Sequence, residues 1–202
     1  MHIKENKANI YFIGGVNAAG KSTLLKELAI RRPDIFIVHG SKKFMDWLGL
    51  EQGDYESLRA MSVEHKDKQF GLLVEKVVSD HKNFGGGALL LDSHYLNMTM
   101  GEINDVTGTW MGFMDALLLI SAPTDHLHNR IINDYKQTGR DRKLFTLGSN
   151  TSDQLTQLSS YVVKTLKTAE ELSNKFSIPL HVIENADGDL DSSIQKLEEL
   201  LS

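Results

Sequence analysis

Residues 14–23 read Gly14-Gly15-Val16-Asn17-Ala18-Ala19-Gly20-Lys21-Ser22-Thr23, and Gly15 through Ser22 fit the pattern G-x-x-x-x-G-K-[ST] without a mismatch. The chemistry open to these residue types at this spacing is the gripping of phosphate. Glycines at 15 and 20 tolerate backbone angles that a Cβ forbids, so N–H groups along Val16, Asn17, Ala18 and Ala19 can turn inward as a nest for anionic oxygens. The Lys21 ammonium is placed to reach β- and γ-phosphates, and the Ser22 hydroxyl to join the coordination of Mg²⁺. The context is right for such a loop. The apolar run Ile10-Tyr11-Phe12-Ile13 precedes it, and Leu24 to Ala29 follows as a helix whose first-turn N–H groups and positive dipole end also favour phosphate.

Further groups could do chemistry beside this loop. Leu89-Leu90-Leu91-Asp92 is an apolar strand ending in a carboxylate, the Walker-B arrangement that sets an aspartate beside magnesium. His94 and Tyr95 follow at the mouth of the predicted cleft, where His94 either touches a second substrate or hydrogen-bonds the loop. Arg130, Arg140 and Arg142 flank Gly139 after a helix. A planar guanidinium suits the charge spread over a transferring phosphoryl group, and the clustering points to a closing lid over about 130–150. Arg59 either binds an acceptor phosphate or makes a surface ion pair. His126 and His128, two residues apart on a helix, diverge and read as a solvated face rather than a metal pair.

Such groups need a scaffold that delivers them to one edge. Short apolar runs alternate with longer amphipathic stretches, the signature of βα units around a parallel sheet in a three-layer α/β fold. Strands are predicted over 8–13, 35–38, 88–91, 116–121 and 180–183, most without strict alternation, as befits strands covered on both faces. The first helix runs from the nest to Arg31-Arg32, where Pro33 disfavours continuation. A short one begins at Ser41 with Phe44, Trp47 and Leu48 on one face, and a long one covers 55–82 with Phe70, Leu73, Val74, Val77 and Val78 as its stripe. Others are predicted from Thr124 or Asp125 to about Tyr135, over 152–176 and over 191–201. The stretches 93–109 and 136–150 fit no regular element; loops of that length in a compact domain are usually functional or disordered.

With 202 residues and 41% hydrophobic content, the chain suits one well-buried core, a single domain over 1–202. A net charge of −5 excludes the global basic field that draws in nucleic acid or an anionic membrane, and leaves small phosphorylated ligands to the local nest. The absence of cysteine excludes disulfides and thiolate metal sites. Residues 1–7 are polar and lack the apolar core of a signal peptide, and the apolar runs are far too short to span a bilayer, so a soluble cytoplasmic protein is expected.

Taken in order, Gly15 to Thr23, Val38-His39-Gly40-Ser41 leading into a helix, Arg59 with Ala60-Met61, Leu91-Asp92-Ser93-His94, and the string from Arg130 to Arg142 resemble archaeal-type adenylate kinases. These are short-lid members of the nucleoside monophosphate kinase group of P-loop proteins, and the similarity extends from about Ile10 to Leu201. The resemblance implies a five-stranded parallel sheet with helices on both faces, a short lid, and an acceptor-binding flap over about 39–82. It implies that Gly15, Gly20, Lys21, Ser22 and Thr23 hold ATP phosphates and Mg²⁺, that Ser41 opens the monophosphate-binding helix, and that Arg59 grips the acceptor phosphate. Asp92 and His94 match the family's string after the third strand, with Ser93 between them. Arg130 matches the arginine that begins the lid near adenine, Arg140 and Arg142 match lid arginines, and the turn Asn185-Ala186-Asp187-Gly188 looks like the loop whose backbone faces the ATP base. His39 and Lys42-Lys43 depart from the pattern at the acceptor helix, and 93–109 lacks the Gly-x-Pro-Arg signature of AMP recognition in longer adenylate kinases.

The activity implied is ATP-dependent phosphoryl transfer to a nucleoside monophosphate, AMP foremost, with small-molecule nucleotides as partners; a homo-oligomer is compatible, since multimers are known among relatives. Two other readings stay open. One is a P-loop kinase of another small acceptor, with Asp92 as the base if that acceptor is an alcohol; the other is a nucleotide-dependent regulatory ATPase. A GTPase is disfavoured by the lack of an Asn-Lys-x-Asp guanine motif.

Overall fold

β1 (Ile10–Gly15) is buried along its whole length, as a strand with helices on both faces must be. The computed structural model of the chain describes residues 9–84, 87–139 and 141–202. From β1 the chain passes through the nest into α1 (Lys21–Arg31), returns as β2 (Phe36–His39) and turns at once into α2 (Gly40–Leu48). Two further helices, α3 (Tyr55–Ala60) and α4 (Val63–Phe84), lead to β3 (Leu89–Asp92). A hairpin of β4 (Leu96–Thr99) and β5 (Glu102–Asp105) and a 3₁₀ turn, Thr109–Phe113, precede β6 (Ala116–Ser121). Then come α5 (Thr124–Thr138), α6 (Thr151–Phe176), β7 (Leu180–Glu184) and α7 (Leu190–Leu200).

Five strands pair in parallel in the order β2-β3-β1-β6-β7, the α/β sheet that the sequence predicts. The chain moves to one side of β1 for β2 and β3 and to the other for β6 and β7. The winding therefore reverses at the C-terminal end of β1, where such sheets bind ligands and where the nest stands. Register does the rest: Ile13 and His39 both pair with Asp92, so three strand ends deliver nest, carboxylate and imidazole to one edge. Behind that edge the rings of Phe44, Phe70, Trp110, Phe12 and Tyr95 follow one another with centroids 5.1, 4.8, 5.7 and 4.8 Å apart. Edge-to-face pairs of this kind add about 0.5–1.5 kcal/mol each beyond their area burial, and this row ties α2 and α4 to β1.

Three expectations need correction. The helix predicted over 55–82 is two helices. Met61 is extended, and the Ser62 hydroxyl accepts from the His65 N–H at 3.2 Å, an N-cap that starts a new helix instead of continuing the old one. The stretch 93–109 is not irregular: Leu96 and Met98 point inward while Asn97 and Thr99 point out, and Met100 and Gly101, both left-handed, make the primed turn whose twist suits a hairpin. In the second stretch, Lys136 to Thr138 belong to α5, which Gly139 ends in a left-handed cap. Residues 141–150 are non-helical yet fastened, because Lys143 and Leu144 carbonyls each accept, at 2.7 Å, from Met100 and Gly101 at the hairpin turn.

Element ends also move by a residue or two. β2 and β3 end on His39 and Asp92, β7 runs to Glu184, and α2, α6 and α7 start one residue early, at Gly40, Thr151 and Leu190. The strand start expected at Ala8 lies outside the described residues. No described helix is long and apolar enough to cross a membrane.

Candidate functional site

The nest is shaped from outside by side chains from four elements. Ala18 and Gly20 are left-handed, with φ 65° and 84°. The Gly15 carbonyl lies 3.3 Å from His94 Nδ1, the Ala18 carbonyl accepts from Arg130 Nη1 at 3.2 Å, and the Ala19 carbonyl accepts from Asn185 Nδ2 at 2.8 Å. In a trans peptide the N–H of the next residue points opposite to its carbonyl. Drawing the Gly15 and Ala19 oxygens outward therefore turns the Val16 and Gly20 N–H groups inward. Asn17 is held by Tyr161, whose hydroxyl lies 2.9 Å from the Asn17 side-chain amide and 2.8 Å from the Leu96 carbonyl. α1 begins with no side-chain cap and no acidic residue in its first turn, which leaves that end of the helix to an anion.

Burial and the nearby Lys21 ammonium push the His94 imidazole down to about 4, so it is neutral and its Nδ1–H serves the Gly15 carbonyl. Of the two roles open to His94, the bond with the loop is present. Burial also raises the Tyr161 and Tyr95 phenols, which keeps both as hydroxyls; Tyr95 donates to the Leu118 carbonyl at 3.2 Å.

At the mouth of the nest Lys21 Nζ donates to Asp92 Oδ1, and His39 Nδ1 lies 2.7 Å from Asp92 Oδ2. Both carboxylate oxygens are thus engaged. The Ser22 hydroxyl stands on the exposed first turn of α1 and lines, with His39, a groove of ≈ 520 Å³ between α1 and β2. A hydroxyl and a carboxylate are hard oxygen donors, and two of them suit an ion that takes its remaining ligands from phosphates and water, as Mg²⁺ does. Among the described residues no cluster of three or more His, Asp or Glu side chains could hold a metal unaided.

The remaining predicted site residues divide. Arg130 is brought to the nest but pinned there: besides Ala18 it donates to the Asn185 carbonyl at 2.8 Å and pairs with Asp187 at 2.6 Å. Arg142 turns back to Asp134 on α5, 2.8 Å away, and Arg140 lies outside the described residues. Ser41 and Arg59 are exposed on α2 and α3, and neither has a hydrogen-bond or ion-pair partner among the described residues. His126 and His128 do diverge, but the solvated face expected of them is not what forms. His126 Nδ1 accepts from the Asp187 N–H at 3.1 Å, and His128 is 9% exposed and lies 2.9 Å from Gln154 Oε1.

Sequence reasoning missed Tyr161, Asp187 and the contact of His39 with Asp92. The inward stripe of α6 is Leu158, Tyr161, Thr165, Ala169 and Leu172. Helical spacing could have placed Tyr161 inside, though not named its partner.

No protein-family model matches the chain, and no curated protein does. Among solved structures it is similar to a shikimate kinase from Bacteroides thetaiotaomicron, at 15% identity and a TM-score of 0.56, over 96% of this chain and 98% of that one. It is also similar to a shikimate kinase from Acinetobacter baumannii in complex with shikimate, at 15% identity and a TM-score of 0.55, over 97% of this chain and 93% of that one. Likeness at that identity carries the fold alone. The nest at the reversal point of a five-stranded parallel sheet is therefore housed in the P-loop kinase fold that those two structures share with this chain.

Proposed function

We propose that the protein transfers the γ-phosphoryl group of ATP to a small acceptor, a nucleoside monophosphate and AMP foremost. The observation that carries this reading is the meeting of the Lys21 ammonium and the Asp92 carboxylate at the open side of the nest. An acceptor oxygen attacks Pγ, the bond from Pγ to the β–γ bridging oxygen breaks, and ADP leaves. A phosphate acceptor is already a competent nucleophile at neutral pH, so no base is needed and the chain contributes alignment and charge. The nest amides hold the triphosphate tail, Lys21 turns from Asp92 to the β/γ oxygens, and Arg59 on the flap over 39–82 takes the acceptor phosphate. Of the lid expected over 130–150, the part after α5 carries Arg140 and Arg142 and excludes water, while Arg130, bonded to the nest, braces the turn at Asn185 near the base. Ser22 and Asp92 are the residues to hold Mg²⁺, which when bound neutralises charge on the phosphates.

A second reading, a kinase of a hydroxylated small molecule, is favoured by one contact: Asp92, with His39 at its other oxygen, is equipped to act as a base toward an alcohol. Incubation with Mg-ATP and a panel of monophosphates, with shikimate and simple polyols alongside, followed by product chromatography, separates the two. ADP formation that requires AMP supports the first, and ADP formation that requires an alcohol supports the second. ATP loss indifferent to every acceptor sinks both in favour of a regulatory ATPase. Lys21→Ala should keep the fold and lose turnover in either case.

A further inference from the structure

His39 holds two positions at once. It is the last residue of β2, paired in register with Asp92, and it is the N-cap of α2. At an N-cap a side chain ordinarily turns to the helix's own free N–H groups, and the types suited to that are Ser, Thr, Asp and Asn. The His39 side chain makes no capping bond. It crosses instead to β3, where Nδ1–H donates to Asp92 Oδ2 at 2.7 Å. The other Asp92 oxygen is occupied by Lys21. The two partners differ in their mounting: Lys21 stands in the nest, where a bound phosphate would draw its ammonium away, whereas His39 is fixed on the edge strand by the register of β2 against β3. His39 is also the side chain that shares the groove beside α1 with Ser22, the other oxygen donor suited to the metal.

We infer that His39 is a positioning residue for the metal site: it fixes the Asp92 carboxylate through Oδ2, so that Oδ1, once Lys21 releases it, stays aimed at Mg²⁺ bound with the nucleotide. A carboxylate carried on two side-chain torsions must otherwise be ordered when the metal arrives. Partners that orient metal-binding groups in this way are worth about 10–100-fold in metal affinity or activity. The inference rests on the proposal that the nest binds a nucleotide triphosphate, and it is independent of which acceptor follows.

Two variants isolate the hydrogen bond from the bulk of the ring. His39→Asn places an amide donor where Nδ1 stood, and His39→Leu keeps comparable volume without a donor. Calorimetric titration of each protein with a non-hydrolysable ATP analogue, once in excess Mg²⁺ and once in EDTA, gives the factor by which the metal tightens nucleotide binding. Free Mn²⁺ counted by electron paramagnetic resonance with the analogue saturating gives metal affinity directly. The expected result is a loss of about 10-fold or more in both quantities for His39→Leu, recovery of most of it in His39→Asn, and affinities in EDTA within about twofold of wild type for all three. Equal metal enhancement in wild type and His39→Leu would overturn the inference, as would Leu and Asn variants that are equally impaired. ¹⁴N modulation from His39 on bound Mn²⁺ would also overturn it, by making the imidazole a ligand. A wild-type chain that binds no analogue under either condition would overturn the nucleotide reading itself. Metal enhancement that is intact in wild type but insensitive to His39 would leave that reading standing and remove this one.

Discussion

Gly20→Ala is the sharpest probe of how the nest is built, because two separate costs fall on one methyl group. Gly20 has φ 84°, and a left-handed conformation costs an L-residue roughly 1–2 kcal/mol. An added Cβ would also lie 2.3 Å from Asn185 Nδ2. Asn185 is not a free end that can swing aside, since it is 5% exposed and that same nitrogen donates to the Ala19 carbonyl at 2.8 Å. Displacing it strands a carbonyl, for about 1–3 kcal/mol. The single variant should therefore lose about 2–5 kcal/mol, which in a chain of this size lowers Tm by roughly 4–20 °C. Asn185→Ala alone strands the same carbonyl and should cost about 1–3 kcal/mol. In the double variant the clash is gone, because the next atom near the new Cβ outside Asn185 is Arg130 Nη1 at 3.7 Å. The stranded carbonyl is then counted once. The double should thus be less destabilised than the sum of the singles by about 1–3 kcal/mol, read from denaturant unfolding of all four proteins. Additivity within about 0.5 kcal/mol would refute the picture of Asn185 filling the space that Gly20 leaves.

Two other predictions follow from the same wall of the nest. Tyr161→Phe removes one buried oxygen that meets both Asn17 and the Leu96 carbonyl, and should cost about 1–3 kcal/mol while weakening binding of a non-hydrolysable ATP analogue several-fold; unchanged calorimetric affinity would show that Asn17 needs no anchor. The His94 imidazole sits at about 4 in the folded chain against 6.5 when free, so the unfolded chain takes up a proton first as pH falls. Its contribution is intact above about 6.5 and drains away towards 4, by about 3 kcal/mol in all. His94→Gln should flatten the fall in unfolding free energy between pH 7 and pH 5 relative to wild type, and an identical slope in both proteins would count against the burial of that ring.

What could be read in advance was whatever is written locally. The nest is local, since two glycines and a lysine must stand at fixed spacing between a strand and a helix, and the five parallel strands are nearly all apolar runs of strand length. The break at Met61 and Ser62 was also local, and a Ser able to cap His65 was a signal available inside an otherwise helical pattern; the apolar stripe on either side outweighed it. The hairpin over 96–105 was harder, because its alternation lasts four residues per strand and its turn is Met100-Gly101 rather than an Asn-Gly pair. The meeting of His39 with Asp92 was beyond local reading altogether. It depends on the register of β2 against β3, and a slip of one residue would have sent the imidazole to the other face. The same holds for Tyr161 and Asn17, which are 144 residues apart.

The two halves of the site are built to different stiffness. On one side, the loop after β3, α5, α6 and the turn after β7 each contribute a side chain to the nest, so its backbone is set in advance and an anion that binds there need not pay for ordering it. On the other, α3 is six residues long with no buried side chain, and α2 anchors through Phe44 and Met45. Segments with so little buried apolar surface open at low free energy. Arg59, exposed on α3, can therefore move with that short helix, whereas Arg130, bonded to Ala18, Asn185 and Asp187, cannot move without loosening the nest. If the nest holds the phosphoryl donor as proposed, the scaffold fixes that donor's site before it binds, while an acceptor met by α2 and α3 meets a surface that can change sequence at little cost to stability.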